Sequence, residues 1–306
     1  MKVAVFGGSG FVGNYIINEL IAQNYEVNVL VRKGSQDKVE SLDKCNVFYG
    51  DILDVDIVKG VIDSCDTIIY NIGIIREFKS KNITYKALHY EGAKLTIDIA
   101  KDLNINRYIM MSANGVKPNG TGYQKTKYDA EVYLKNNLRD WTIIRPSLIF
   151  GDSKGKKEFC SELKKDMLSL PFPAPAFFSG LNILSAGMFK MSPIHIKDVS
   201  RIFVGCIENN HSFKKIYELG GDDFTWKEII KIIGNSYGKN KLIIPAPALF
   251  VQLAALILDR FEWFPISYDQ LVMLLEGNTC DSSDIFKRYS IDPIKFSSKN
   301  INYLND

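Results

Sequence analysis

Short apolar runs alternate with segments of helical period through the first half of the chain. The runs fall at residues 3–6, 26–31, 46–49, 67–70, 107–111 and 142–145, and the helical segments at 14–24, 55–62, 85–103 and 124–137. Such alternation predicts an α/β fold, a doubly wound parallel sheet with helices on both faces. The runs show little polar alternation, as strands covered on both sides require. Beyond Gly151 the pattern changes. A stretch rich in Pro, Phe and Gly at 168–189 precedes Pro193-Ile-His-Ile, a helix from Asp198, a short strand at 216–219 and further helices. The expected organisation is a dinucleotide-binding sheet domain over residues 1–151 and a smaller C-terminal substrate lobe over 152–306, partly interleaved with the sheet. The longest apolar run, 246–258, is 13 residues and contains Gln252. A spanning helix needs about 20 residues, and this run lacks a cationic polar face, so a buried helix is predicted rather than one lying on a membrane.

Composition narrows the classes without choosing among them. The 306 residues are 46% hydrophobic and 24% charged, an ordinary globular balance. A net charge of +3 argues against a nucleic-acid partner. The five cysteines are scattered, without C-x-x-C spacing, so neither a disulfide framework nor a metal site is expected. A reduced, cytoplasmic protein is the expectation. Residue 3 already belongs to the first strand, which leaves no room for a basic start and separate apolar segment ahead of it.

The chemistry begins at the first turn. Lys2-Val-Ala-Val-Phe-Gly-Gly-Ser-Gly-Phe-Val-Gly13 runs from a strand into a helix. Glycines there permit positive φ, let a pyrophosphate touch backbone and let helix approach strand, while the helix N-terminus supplies amide donors. Two registers fit: Gly8, Gly10 and Gly13, or Gly7, Gly10 and Gly13. Tyr123 and Lys127 lie four apart in a segment of good helix formers and so share a face. A neighbouring cation favours the phenolate, making the pair a candidate acid/base. Ser112, just past the 107–111 strand, can hydrogen-bond a substrate oxygen while Tyr123 moves the proton. The second strand ends in Arg32-Lys33 with no carboxylate at its tip. That pattern favours NADP(H) over NAD(H), since a carboxylate binds the ribose 2′-hydroxyl and an Arg accommodates a 2′-phosphate.

With these residues together, the chain resembles the extended or atypical, epimerase-like branch of the short-chain dehydrogenase/reductase superfamily. The resemblance covers nearly the whole length: Gly7 to Gly13, Gly50-Asp51-Ile52, Asn71-Ile72-Gly73, Ser112, Tyr123 with Lys127, Arg145-Pro-Ser-Leu-Ile-Phe-Gly151 and His195-Ile-Lys-Asp-Val199. It implies that Gly7, Gly10, Phe11, Val12 and Gly13 hold the cofactor, that Asp51 and Ile52 contact adenine and that Asn71 to Gly73 line the groove. It also implies that Pro146 and Leu148 lie near nicotinamide. Within the superfamily the likeness is greatest to proteins related to the nucleotide-binding accessory subunit of respiratory complex I, through Met-Ser-Ala-Asn-Gly115, Tyr-Gln-Lys-Thr-Lys127, Tyr217-Glu-Leu-Gly-Gly and Ile244-Pro-Ala-Pro-Ala-Leu-Phe. Tyr123 follows Ser112 by only 11 positions, fewer than in the extended pattern.

Two classes of function follow. One is an NADP(H)-dependent oxidoreductase acting on a carbonyl or alcohol, with a sugar-nucleotide epimerase or dehydratase as its variant; the later lobe has no basic cluster for a diphosphate. The other is a non-catalytic NADP(H)-binding accessory or assembly protein, peripheral on the inner face of a membrane or on a respiratory complex. In the later lobe, Asp198 is expected to cap a helix and His195 to be a core or loop residue. The apolar loop from Leu170 through Phe189 covers an apolar substrate, touches a membrane surface or simply packs, and Trp263 with Phe264 anchors at an interface or fills core.

Overall fold

The computed structural model describes residues 1–259, 261 and 264–305. It divides into two compact units, one of residues 1–146, 196–218 and 287–289, the other of 147–195, 219–286 and 290–306.

The first unit is built on β1 (Lys2–Phe6), α1 (Phe11–Ala22), β2 (Glu26–Val31), β3 (Asn46–Tyr49), α2 (Val55–Ile62), β4 (Thr67–Tyr70), α3 (Gly92–Asp102), β5 (Arg107–Met111), α4 (Gly122–Asn137), β6 (Asp140–Pro146), α5 (Ile196–Gly205) and β7 (Lys215–Leu219). The seven strands lie in the order β7-β6-β5-β4-β1-β2-β3. β1 to β6 pair in parallel throughout. The order reverses at β1, between β2 and β4, and in such sheets ligands bind outside the carboxyl ends of strands at that switch point.

Successive strand residues point to opposite faces. Ala4 and Phe6 therefore join Val58, Val61, Ile62, Ala93, Ile97 and Leu134 of α2, α3 and α4 in one buried layer. Val3 and Val5 face the other way, where α1 and α5 pack together. Strands buried on both faces explain why the sequence shows continuous apolar runs.

The second unit has its own core around Trp226, with Phe150, Ile229, Ile230, Ile233, Leu271 and Phe296. The helix Trp226–Ser236 starts at a capping box between Thr225 and Glu228, and the Trp226 indole donates to the Pro175 carbonyl at 2.8 Å. Strands Ala174–Phe178 and Ile243–Pro247 pair in parallel, so an ordered strand occupies the middle of the Pro-rich stretch.

Four expectations change. The first helix starts at Phe11, directly after the glycine turn. Residues 85–103 are not one regular helix, because Lys86–Glu91 is a π-helical turn ahead of α3. α5 begins at Ile196, which puts Asp198 inside its first turn rather than at the cap. The apolar run 246–258 begins as strand and becomes the helix Ala248–Leu258, of which only Ala248 and Ala255 are buried. Its large side chains Leu249, Phe250, Leu253, Leu256 and Ile257 are exposed. Of this helix only Ala248 and the half-buried Val251 join the core around Trp226, so the buried-helix expectation fails. Trp263 lies outside the described residues. His195 is buried in a two-residue strand, edge-on to Phe150 at 5.0 Å.

Candidate functional site

The glycine turn leaves the end of β1 at the switch point. Gly7 has φ +92°, and a Cβ there would lie 2.8 Å from the Asn71 carbonyl. A Cβ on Gly13 would stand 2.1 Å from the Gly7 oxygen. Gly7 is thus held by its conformation and Gly13 by the approach of α1 to the turn, while a Cβ on Gly8 would meet the Val29 and Ile17 side chains at 2.6 and 2.7 Å. Gly10 caps α1 in extended backbone, without a side-chain cap. The first bond inside the helix is Asn14 N–H to the Gly10 carbonyl at 3.2 Å. The amides of Phe11, Val12 and Gly13 precede it, and such leading amides are donors for an anion. Asn14 was not singled out in the sequence. Its amide nitrogen donates to the carbonyls of Gly8, Gly10 and Lys38 at 3.0, 2.9 and 2.9 Å, and its oxygen accepts from Glu40 N–H at 2.9 Å. A buried Asn early in a helix is the only trace of this clamp in the sequence.

Beside the turn stand the ends of β4 and β5. Asn71 N–H donates to the Phe6 carbonyl at 2.9 Å. α4 begins at a capping box between Thr121 and Gln124, which sets Tyr123 in the first turn and Lys127 one turn on. The Lys127 ammonium donates to the carbonyls of Ile72 at 3.1 Å and Met111 at 2.9 Å. A Cβ on Gly73 would lie 3.3 Å from Nζ. Lys127 thus ties α4 to the ends of both strands and brings Gly73, Ser112 and the glycine turn into one neighbourhood. Burial pushes the Lys127 amine down to about 8, against the opposing charge of Glu131. Ser112 is buried, and its hydroxyl has no hydrogen-bond partner among the described residues. A buried polar atom left over at the carboxyl end of a sheet strand fits a ligand oxygen.

Tyr123 departs from expectation. Although part of its side chain reaches solvent, desolvation pushes the phenol up to about 12. The phenol accordingly keeps its proton at neutral pH.

His89 is a second residue the sequence reading missed. It lies on the π-helical turn, is buried, stacks on Tyr85 at 5.3 Å and stands edge-on to Tyr123 at 5.1 Å. Ile74 N–H donates to its Nε2 at 3.1 Å, so the ring proton sits on Nδ1 and is donated to Thr126 Oγ1 at 3.1 Å. Thr126 in turn donates to the Gly122 carbonyl at 2.8 Å. The loop after β4 is thereby latched to the first turn of α4. Burial and the nearby Lys127 charge hold His89 well below the ordinary imidazole range. α4 is also fixed to β6, where the Arg145 fork holds the fully buried Glu131 carboxylate at 2.9 and 2.7 Å.

The remaining candidates are dispersed. Arg32 and Lys33 are exposed just past β2. Asp51 is exposed and accepts from Leu53 N–H at 3.0 Å, a local turn bond. Ile52 belongs to the buried layer under the sheet. Pro146 ends β6 in the first unit, its carbonyl accepting from Asn114 N–H at 3.0 Å, whereas Leu148 belongs to the second unit. Among the described residues no cluster of three His, Cys, Asp or Glu is arranged to hold a metal.

A parallel sheet reversed at β1, a glycine turn with leading amides and an unpaired serine hydroxyl at the end of β5 mark a dinucleotide-binding fold. The NAD(P)H-binding family matches residues 7–167, more than half of the chain, and the chain belongs to that family. It is similar to the mitochondrial NADH-ubiquinone oxidoreductase 40 kDa subunit of Neurospora crassa, 24% identical over 98% of this chain and 78% of that protein. It is also similar to the mitochondrial NADH dehydrogenase [ubiquinone] 1 alpha subcomplex subunit 9 of Dictyostelium discoideum, 26% identical over 87% of this chain and 72% of that protein. In fold it matches the UDP-glucose 4-epimerase of Thermus thermophilus in complex with NAD, with a TM-score of 0.74 at 16% identity, covering 100% of this chain and 98% of that one.

Proposed function

We propose that the chain is an NADP(H)-dependent reductase of a carbonyl-type substrate, with Tyr123 as proton donor, Ser112 as the group orienting the substrate oxygen and Lys127 as ribose ligand. The observation that carries this reading is the buried, unpaired Ser112 hydroxyl beside the strand end that Lys127 holds. Two of the three ammonium hydrogens of Lys127 are used by carbonyls, which leaves one for a ribose hydroxyl. Gly7, Gly10, Phe11, Val12 and Gly13 hold the pyrophosphate, Asn71 and Gly73 line the groove, and Arg32 with Lys33 receives a 2′-phosphate. When bound, the nicotinamide supplies the hydride. Tyr123 then neutralises the oxygen on which negative charge develops, a task suited to a phenol that keeps its proton at neutral pH. Asp51, Ile52, Pro146 and Leu148 have weaker support, since none presents a polar side chain free of local or core packing.

A second reading rests on the relatives that are named as respiratory-complex subunits. In it the chain holds NADP(H) as an accessory or assembly protein and turns nothing over. Gentle purification, identification of the released nucleotide and assay of reduced-nicotinamide absorbance with carbonyls, sugar nucleotides and quinones separate the two. The reductase reading expects turnover that Tyr123→Phe lowers by about 100-fold or more. Tightly held NADP(H) that no acceptor oxidises would establish the accessory reading instead.

A further inference from the structure

One face of α4 carries three polar groups in a column. Tyr123, Lys127 and Glu131 stand at i, i+4 and i+8, each one turn from the next, and so fall within a stripe about 80° wide. The proposed site uses the first two. Glu131 is fully buried, and its two oxygens accept from the Arg145 fork of β6 at 2.9 and 2.7 Å. Arg145 also reaches the exposed Glu218 at 3.3 Å. A bidentate fork of this kind recognises a carboxylate and holds it in place.

Lys127 needs such a charge nearby. It is buried, and its hydrogen-bond partners are two carbonyls, which carry none. A buried ammonium without a compensating charge gives up its proton. Of the titratable groups around it, Tyr123 on its own helix and His89 on the π-helical turn are kept neutral by burial. The ends of β4 and β5 offer it carbonyls, and Arg145 of β6 is bound to Glu131. Glu131 is the group whose charge acts on the amine, opposing the burial that brings it down to about 8.

The proton at stake is the one a ligand would use. An ammonium has three hydrogens and a neutral amine two. The carbonyls of Ile72 and Met111 take two. Deprotonation therefore removes the hydrogen left for a ribose hydroxyl, while both ties between α4 and the strand ends persist.

We infer that Glu131 is a positioning residue acting through Lys127: its carboxylate, gripped by Arg145, keeps the third hydrogen on the Lys127 nitrogen. The consequence for the nucleotide rests on the proposed role of Lys127 as ribose ligand; the state of the amine does not, and it is measured by itself. The test is an NMR titration of the nucleotide-free full chain, labelled with 13C at lysine Cε, from about pH 6 to about pH 10. The Lys127 resonance is assigned by its loss in Lys127→Met. The wild-type amine is expected to titrate near about 8. In Glu131→Gln the midpoint falls by about one unit or more, and Glu131→Asp, which restores the carboxylate, recovers part of the difference. A Glu131 that only packs and pairs would leave the midpoint in place. If Glu131→Gln does not fold, E131Q/R145Q, in which two amides bond one another in place of the ion pair, carries the same expectation. An unchanged midpoint in the folded variant overturns the inference. NADPH affinity is measured on the same proteins between about pH 7 and about pH 9.5, where a 2′-phosphate is already ionised. It is expected to fall as pH rises through about 8 in the wild type, and to begin falling about one unit lower in Glu131→Gln. A midpoint that moves while NADPH affinity stays level with pH would uphold the action of Glu131 on the amine and refute Lys127 as ribose ligand.

Discussion

At the scale of single residues, the site is governed by what burial does to three titratable side chains. Tyr123 is kept protonated, Lys127 is brought down to about 8, and His89 is kept neutral. His89 carries the clearest pH consequence. Its Nε2 must stay unprotonated to accept from Ile74 N–H, while in the unfolded chain the ring titrates near the ordinary value of about 6.5. Below that pH the unfolded state binds a proton that the folded state does not, so stability falls as pH falls. The urea midpoint of the wild type is expected to drop between about pH 7 and pH 5. In His89→Gln, whose amide can accept from Ile74 and donate to Thr126, this drop should shrink. An unchanged pH dependence in His89→Gln would show that the latch is not held by a neutral imidazole.

At the scale of elements, the turn between β1 and α1 separates a packing glycine from one that the proposed site turns toward the ligand. A methyl on Gly13 would collide with the Gly7 backbone oxygen, whereas one on Gly10 would approach only that oxygen, at 3.4 Å. Gly13→Ala is expected to cost about 1–3 kcal/mol of folding stability, as overpacking does, and to weaken nucleotide binding. Gly10→Ala should leave the urea midpoint near wild type and weaken nucleotide binding alone, because its methyl intrudes where a pyrophosphate approaches. Equal nucleotide affinity in Gly10→Ala and wild type would remove Gly10 from the binding surface. All seven sheet strands, the last of them placed in the later lobe, and α2 and α4 were legible because buried parallel strands and capped amphipathic helices write their periods directly into the sequence. The π-helical turn was not, since one wide turn leaves the apolar spacing of residues 85–103 nearly intact. The Arg145–Glu131 pair was hidden for another reason: it joins charges 14 positions apart on different elements, and no local period records it.

At the scale of the whole molecule, the chain combines an NAD(P)H-binding unit with a second unit built around its own tryptophan core. The sequence conveyed the first far better than the second. Glycine, serine and Tyr-Lys positions have fixed meaning relative to strand ends, whereas an uncharged apolar helix reads the same whether it faces a core or a membrane. Only the burial of Ala248 and Ala255 reveals which side of residues 248–258 turns inward. The choice of cofactor lies between these cases, resting on Arg32 and Lys33 in a loop where a 2′-phosphate would add charge-assisted bonds. Isothermal titration of NADPH and NADH into the wild type and into the R32A/K33A double variant tests the account most directly. The account predicts NADPH bound at least about tenfold more tightly than NADH by the wild type, with the preference lost in the double variant and NADH affinity kept. NADH bound as tightly as NADPH by the wild type would contradict it.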